Sequence, residues 1–177
     1  MYVRIFDNLK KMRAKLKEIT NSGIDASPAL QMIGTYYTGQ IDRTFIKEGE
    51  RDGHPRWKAL SARTIAIRLS KARKQGKGTK KAAEKSGRSG KVMILQDTGL
   101  MRRSFIPGGI DNTFRVGKDF VTVGTSVPYA KKHQTGDDVP KREIIFFTEK
   151  DKKMFPKILL DFYKARLLER QQGYENG

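Results

Sequence analysis

The stretch Thr113-Phe-Arg-Val-Gly117-Lys118-Asp119-Phe120-Val-Thr-Val-Gly124 decides the fold class. Its two halves alternate apolar and polar residues with the period of a strand. The turn-forming Gly117-Lys118-Asp119 lies between them, so the segment reads as a β-hairpin. The sequence before it is helical in pattern. Phe6, Leu9, Met12 or Arg13, Leu16 and Ile19 recur at three-to-four-residue spacing and predict one amphipathic helix, closed by Asn21-Ser22-Gly23. Ser27-Pro28 opens a second, with Ser27 as N-cap and proline in the first turn, where its missing N–H costs nothing. Leu30, Ile33, Tyr37, Ile41 and Phe45 carry the second face to about Glu48, and the two helices are expected to pack as a hairpin. After the turn-rich connection Gly49 to Pro55, Trp57 and Leu60 supply an apolar anchor, and Ser61 caps a third helix carrying Ile65 and Leu69.

Beyond position 91, Val92 to Leu95 is a short apolar run, and Asp97-Thr98 reads as the N-cap of a small helix through Leu100, Met101 and Phe105. Val127 to Gly136 predicts a short turn or helix, and Ile144-Ile-Phe-Phe147 a further strand. Met154, Ile158, Leu159, Phe162, Ala165 and Leu168 lie at helical spacing, interrupted by Pro156, with Gln171 to Gly177 as a tail. A small antiparallel sheet packed with an N-terminal helical hairpin and a C-terminal helix is an α+β fold.

At 177 residues the chain suits one domain, with N-terminal helices over 1–50 and an α+β core over 92–170. The absence of cysteine excludes a disulfide framework, a cysteine nucleophile, an iron–sulfur cluster and a thiolate zinc site. The longest apolar runs are a few residues, against the roughly 20 that cross a bilayer, so no membrane partner is expected. Met1 to Ile19 lacks the apolar block of a secretory signal, which places the chain first in the cytoplasm.

Net charge is +18 and unevenly distributed. Residues 1–55 carry 9 Lys+Arg against 7 acids, residues 56–91 carry 13 against 1, and residues 92–177 carry 15 against 11. Two-thirds of the excess therefore lies in 36 residues. Between Lys71 and Gly90 there is no large apolar residue, so burial cannot offset the entropy of ordering, and a mobile basic loop over 71–91 is expected. Lys71, Arg73, Lys74, Lys77, Lys80, Lys81, Lys85, Arg88 and Lys91 are its candidate contacts to phosphate backbone or to an acidic protein surface. A solvated insertion with no partner is the plainer alternative.

Catalytic patterns are sparse. Gly76-Lys-Gly78 follows no strand and fails as a nucleotide-binding loop. His133 and Asp137, four residues apart, can share a helix face, but two ligands do not make a metal site; a turn in which His133 and Gln134 bond nearby backbone is the favoured reading. A Ser104/His133/Asp137 triad lacks a nucleophile elbow. Neither enzymatic activity nor a cofactor is expected. Gly99 and Gly136 fall where a turn or helix end requires positive φ, and Trp57 is expected in the core.

Several of these residues form an ordered set: Trp57, Leu60, Ser61 and Thr64; a basic insertion; Leu95-Gln-Asp97-Thr98-Gly99-Leu100-Met-Arg102-Arg-Ser104; Gly124-Thr125; Tyr129-Ala130; His133-Gln134 and Gly136; and Pro140-Lys-Arg142. This order, over about Arg56 to Phe147, resembles the phage virion morphogenesis family, the tail-completion proteins of Mu-like and related contractile-tailed phages and prophages. One departure is Pro140-Lys-Arg142-Glu143-Ile144, where the family usually has Pro-Arg-Arg before an aromatic or aliphatic residue. The resemblance implies a non-enzymatic virion protein, assembled in the bacterial cytoplasm and acting in tail completion and head–tail joining at the neck. It further implies a homo-oligomeric ring partnered by other tail, neck or head proteins. Strand edges able to pair with a neighbour suit such assembly. Two other classes compete: a basic nucleic-acid-binding protein using the 71–91 arm, which would touch DNA in a salt-dependent way, and a small hydrolase dependent on His133.

Overall fold

A computed structural model describes residues 1–5, 10–74 and 92–175. Its elements run β1 (Tyr2–Arg4), α1 (Lys10–Asn21), α2 (Ser27–Ile46), α3 (Ala62–Lys74), α4 (Leu100–Arg103), β2 (Asn112–Val116), β3 (Val121–Thr125), α5 (Ala130–Thr135) and α6 (Glu149–Glu175). The α+β class stands. The predicted hairpin forms as β2 and β3, paired antiparallel from Asn112↔Thr125 to Val116↔Val121. Gly117 N–H donates to the Phe120 carbonyl at 2.8 Å, leaving Lys118-Asp119 as the turn.

The sheet has a third strand that the helical spacing near the N-terminus concealed. β1 pairs antiparallel with β3, Tyr2 opposite Gly124 and Arg4 opposite Thr122, so β3 is central and every residue in it is buried. Gly124 is required at that crossing, because a Cβ there would collide with Met1 O and the Tyr2 backbone. Phe6 and Leu9, assigned to the first helix, lie outside the described residues, and α1 is helical from Lys10.

α2 lies between the sheet and α6, which explains why it is buried on more than one face: Ala29, Leu30, Ile33, Tyr37, Ile41 and Phe45 are all enclosed. Tyr36, Tyr37, Phe147 and Phe155 fill the α2–α6 side with tilted and edge-to-face rings at centroid separations of 5.0–6.0 Å. α1 also packs on α6.

Local assignments differ from the sequence reading in several places. Ala26, not Ser27, is the N-cap of α2; Ser27 is already helical, and its N–H and hydroxyl both donate to Asp25 Oδ1 (3.0 and 2.7 Å). Gly99, not Asp97-Thr98, caps α4, although the Thr98 hydroxyl accepts the Leu100 N–H at 3.2 Å; the helix ends before Phe105. Pro156 sits inside α6 without ending it, since buried Phe155 and Leu159 on either side hold both parts of the helix to the core. The helix then continues through Gln171 to Glu175, where a tail was expected.

Ile144–Phe147 is not a strand. Four of its backbone groups are taken by three side chains instead of a ladder. Gln134 Oε1 accepts the Ile144 and Ile145 N–H groups (2.8 and 3.0 Å), and Gln134 Nε2 donates to Ile145 O (2.7 Å). The Phe146 carbonyl accepts from Tyr37 Oη (3.0 Å) and Arg51 (3.2 Å). With its polar groups satisfied this way, the segment has no need of a strand partner.

Candidate interaction surface and the residues that brace it

Several residues of the ordered set hold backbone in place. Trp57 is in the core, with its ring edge-to-face on Phe45 (5.6 Å) and its indole N–H donating to Glu143 O at 2.8 Å. Its own N–H donates to Glu48 O (2.7 Å), and the buried Glu48 carboxylate takes the Ile94 N–H (3.0 Å) and pairs with Arg56. Arg142, also buried, donates to the Lys58 and Ala59 carbonyls (3.0 and 3.3 Å), pinning the chain just before half-buried Leu60. The segment 56–60 is thereby clamped between the end of α2 and residues 142–143.

Arg102 grips Asp42 of α2 with two bonds, at 2.6 and 3.0 Å, and so fixes α4. Half-buried Leu100 packs against the core, and Asp97 and Thr98 stay exposed, with Asp97 3.7 Å from Arg68. Gly99 and Gly136 adopt positive φ (73° and 85°), as their turns demanded. Ala130 is buried, while Tyr129 remains 42% exposed.

No triad assembles. The Ser104 hydroxyl is buried between Met101 O (2.8 Å) and Thr125 Oγ1 (2.7 Å), and Thr125 Oγ1 also accepts the Val127 N–H. Of the His133-Gln134 turn, Gln134 bonds backbone as expected. His133 does so only through its main chain, its carbonyl accepting the Arg142 N–H at 2.7 Å. Among the described residues the ring Nδ1 is buried without a partner, and Asp137 lies exposed without reaching it. Burial, then the neighbouring Arg142 and Arg68 charges, push the His133 pKa below its ordinary value. Among the described residues no group of three His, Asp or Glu side chains converges to hold a metal.

The polar centre that sequence reading missed lies between α2, the following turn and α6. Arg51 Nη1 donates to both oxygens of Asp151 (3.1 and 2.9 Å) and to Gln40 Oε1, while its Nε donates to Thr44. Asp151 also caps α6, accepting the Thr148 N–H at 3.0 Å. Tyr36 donates to Asp151, and its pKa is pushed up to about 12 by burial and then by that carboxylate's charge. Only Thr148 lying three residues before Asp151 hinted at this, as a capping pattern.

Of the basic candidates, Lys71 is exposed on α3, and Arg73 and Lys74 form its last turn. Lys77, Lys80, Lys81, Lys85, Arg88 and Lys91 lie outside the described residues, as does the body of the expected mobile loop. In the helix leading to them, Ile65 and Leu69 do not join the core but are 37% and 39% exposed. α3 is held through Arg68, which donates to Met93 O at 2.9 Å.

These are the properties of a small α+β protein whose polar side chains brace loops, with a basic helix displayed at its surface. The model of the phage virion morphogenesis family matches residues 7–163, and the chain belongs to that family. No curated protein and no solved structure matches it. None of the described helices is long and apolar enough to cross a membrane.

Proposed function

We propose that this chain is a non-enzymatic assembly protein that acts in tail completion and joins heads to tails at the neck, as a homo-oligomeric ring within the virion. The observation that carries the reading is the match to the virion morphogenesis family over residues 7–163. The sheet supports it: β1 and β2 are outer strands, each with one edge that no described strand covers, and a head-to-tail contact at such edges closes into a ring when the rotation permits.

In this reading, the 71–91 arm meets an acidic surface of a tail, neck or head protein. Deleting Lys71–Gly90 should leave a folded protein that fails to join heads to tails in a complementation assay with a phage lacking it. Normal infectivity of the deletion would reject the role. Size-exclusion chromatography with light scattering, with and without duplex DNA, separates the alternative: tight association that collapses with added salt would make nucleic acid the arm's partner.

A further inference from the structure

α3 carries its apolar stripe on the wrong side for a monomer. At about 100° per residue, Ala62, Ile65, Ala66 and Leu69 share one face, and all four are exposed. Thr64 and Arg68, the half-buried positions, point toward the protein. From Ala62 to Lys71 no residue is buried, and Ile67, on the far side, is 45% exposed. Surface helices ordinarily turn such a stripe inward, and an isolated helix of 13 residues is marginal in water. The stripe therefore lacks its covering surface.

What covers it can be narrowed by charge and composition. Residues 75–91 contain no Leu, Ile, Val, Met or Phe and carry six Lys or Arg against Glu84 alone, so they can neither fill the stripe nor neutralise it. A second copy docking α3 to α3 would oppose two stretches that each hold 13 cations and one acid over 56–91. Arg63 stands at one edge of the stripe, exposed and without an ion pair among the described residues. We infer that α3 docks helix-in-groove on a different protein, whose groove is apolar along its floor and lined by Asp and Glu at its rim. The inference rests on the assembly reading and names the anchor of its contact: Ile65 and Leu69 on the floor, Arg63 at the rim.

The test uses the full chain and a labelled helical peptide of Leu and Glu with one apolar stripe, followed by fluorescence anisotropy, beside polyglutamate of equal charge and a DNA duplex. Tighter binding of the peptide than of polyglutamate by at least about tenfold, lost to a similar extent in Ile65→Asp/Leu69→Asp and retained in Ile65→Leu/Leu69→Ile, is expected. Equal binding of polyglutamate, preference for DNA, or no binding of the peptide overturns the inference. So does self-association in sedimentation velocity that the aspartate variant abolishes, which would make a second copy the occupant. The variant's far-ultraviolet circular dichroism should match wild type, since neither side chain is in the core. Failure here leaves the joining role to be judged by complementation with the unaltered chain, so the two readings fall separately.

Discussion

Arg51 and Asp151, 100 positions apart, meet at 2.9 Å in the interior, with side chains 5% and 0% exposed. Each charge is compensated mainly by the other, and the remaining donors and acceptors go to Gln40, Thr44, Tyr36 and Thr148. The pair ties the turn after α2 to the first turn of α6, and through the Phe146 carbonyl it fixes the segment that Gln134 holds from the other side.

Asp151→Asn should therefore destabilise the protein by about 3–5 kcal/mol, because it removes the buried partner of a buried guanidinium and leaves it only the more distant Asp52 carboxylate at 3.7 Å. Replacing both partners with apolar residues, Arg51→Met with Asp151→Leu, should cost less than the single change. Urea unfolding of the three proteins checks the order.

Gln134→Leu keeps the volume but removes one acceptor and one donor that together satisfy three backbone groups of Ile144 and Ile145. At about 1–1.5 kcal/mol per bond, a loss of about 3–4.5 kcal/mol is expected. Amide hydrogen exchange should accelerate at Ile144 and Ile145 before it does in β3.

The depressed His133 pKa gives stability a signed pH dependence. Below the ordinary value of 6.5 the unfolded chain takes up a proton that folded His133 resists, so stability falls as pH drops from about 7 towards 5. Glu143, held low by bonds from Lys141 and His54, contributes its own loss only below its ordinary 4.5. The urea midpoint should decline across pH 7 to 5, and His133→Gln should flatten that decline. An unchanged slope in the variant would assign the effect elsewhere.

Gly49 lies at φ 98°, and a Cβ there would stand 2.5 Å from the Trp57 ring. Gly49→Ala combines a disfavoured backbone with a clash against a ring that has no room to move, so a loss above about 2 kcal/mol is expected. Trp57 is the sole tryptophan, so its emission should shift to the red in the same variant.

Local pattern alone determined the β2–β3 hairpin, the extent of α2, the Ser61 cap of α3 (Thr64 N–H to Ser61 Oγ, 3.2 Å) and the two positive-φ glycines. Each depends on residues within a few positions of one another, and the ordered residues from Trp57 to Arg142 carried the family. Tertiary structure decided the rest. Tyr2–Arg4 is a strand because β3, some 120 residues away, offers it an edge. Ile144–Phe147 is not one, because Gln134, Tyr37, Arg51 and Trp57 reach its surroundings first. Arg51 and Asp151 look like ordinary surface charges until the fold removes water from both, and Ile65 and Leu69 look like core until α3 turns them outward. Periodicity reports that a face is apolar, but which surface covers it is set by long-range packing, and for α3 no described part of this chain provides that surface.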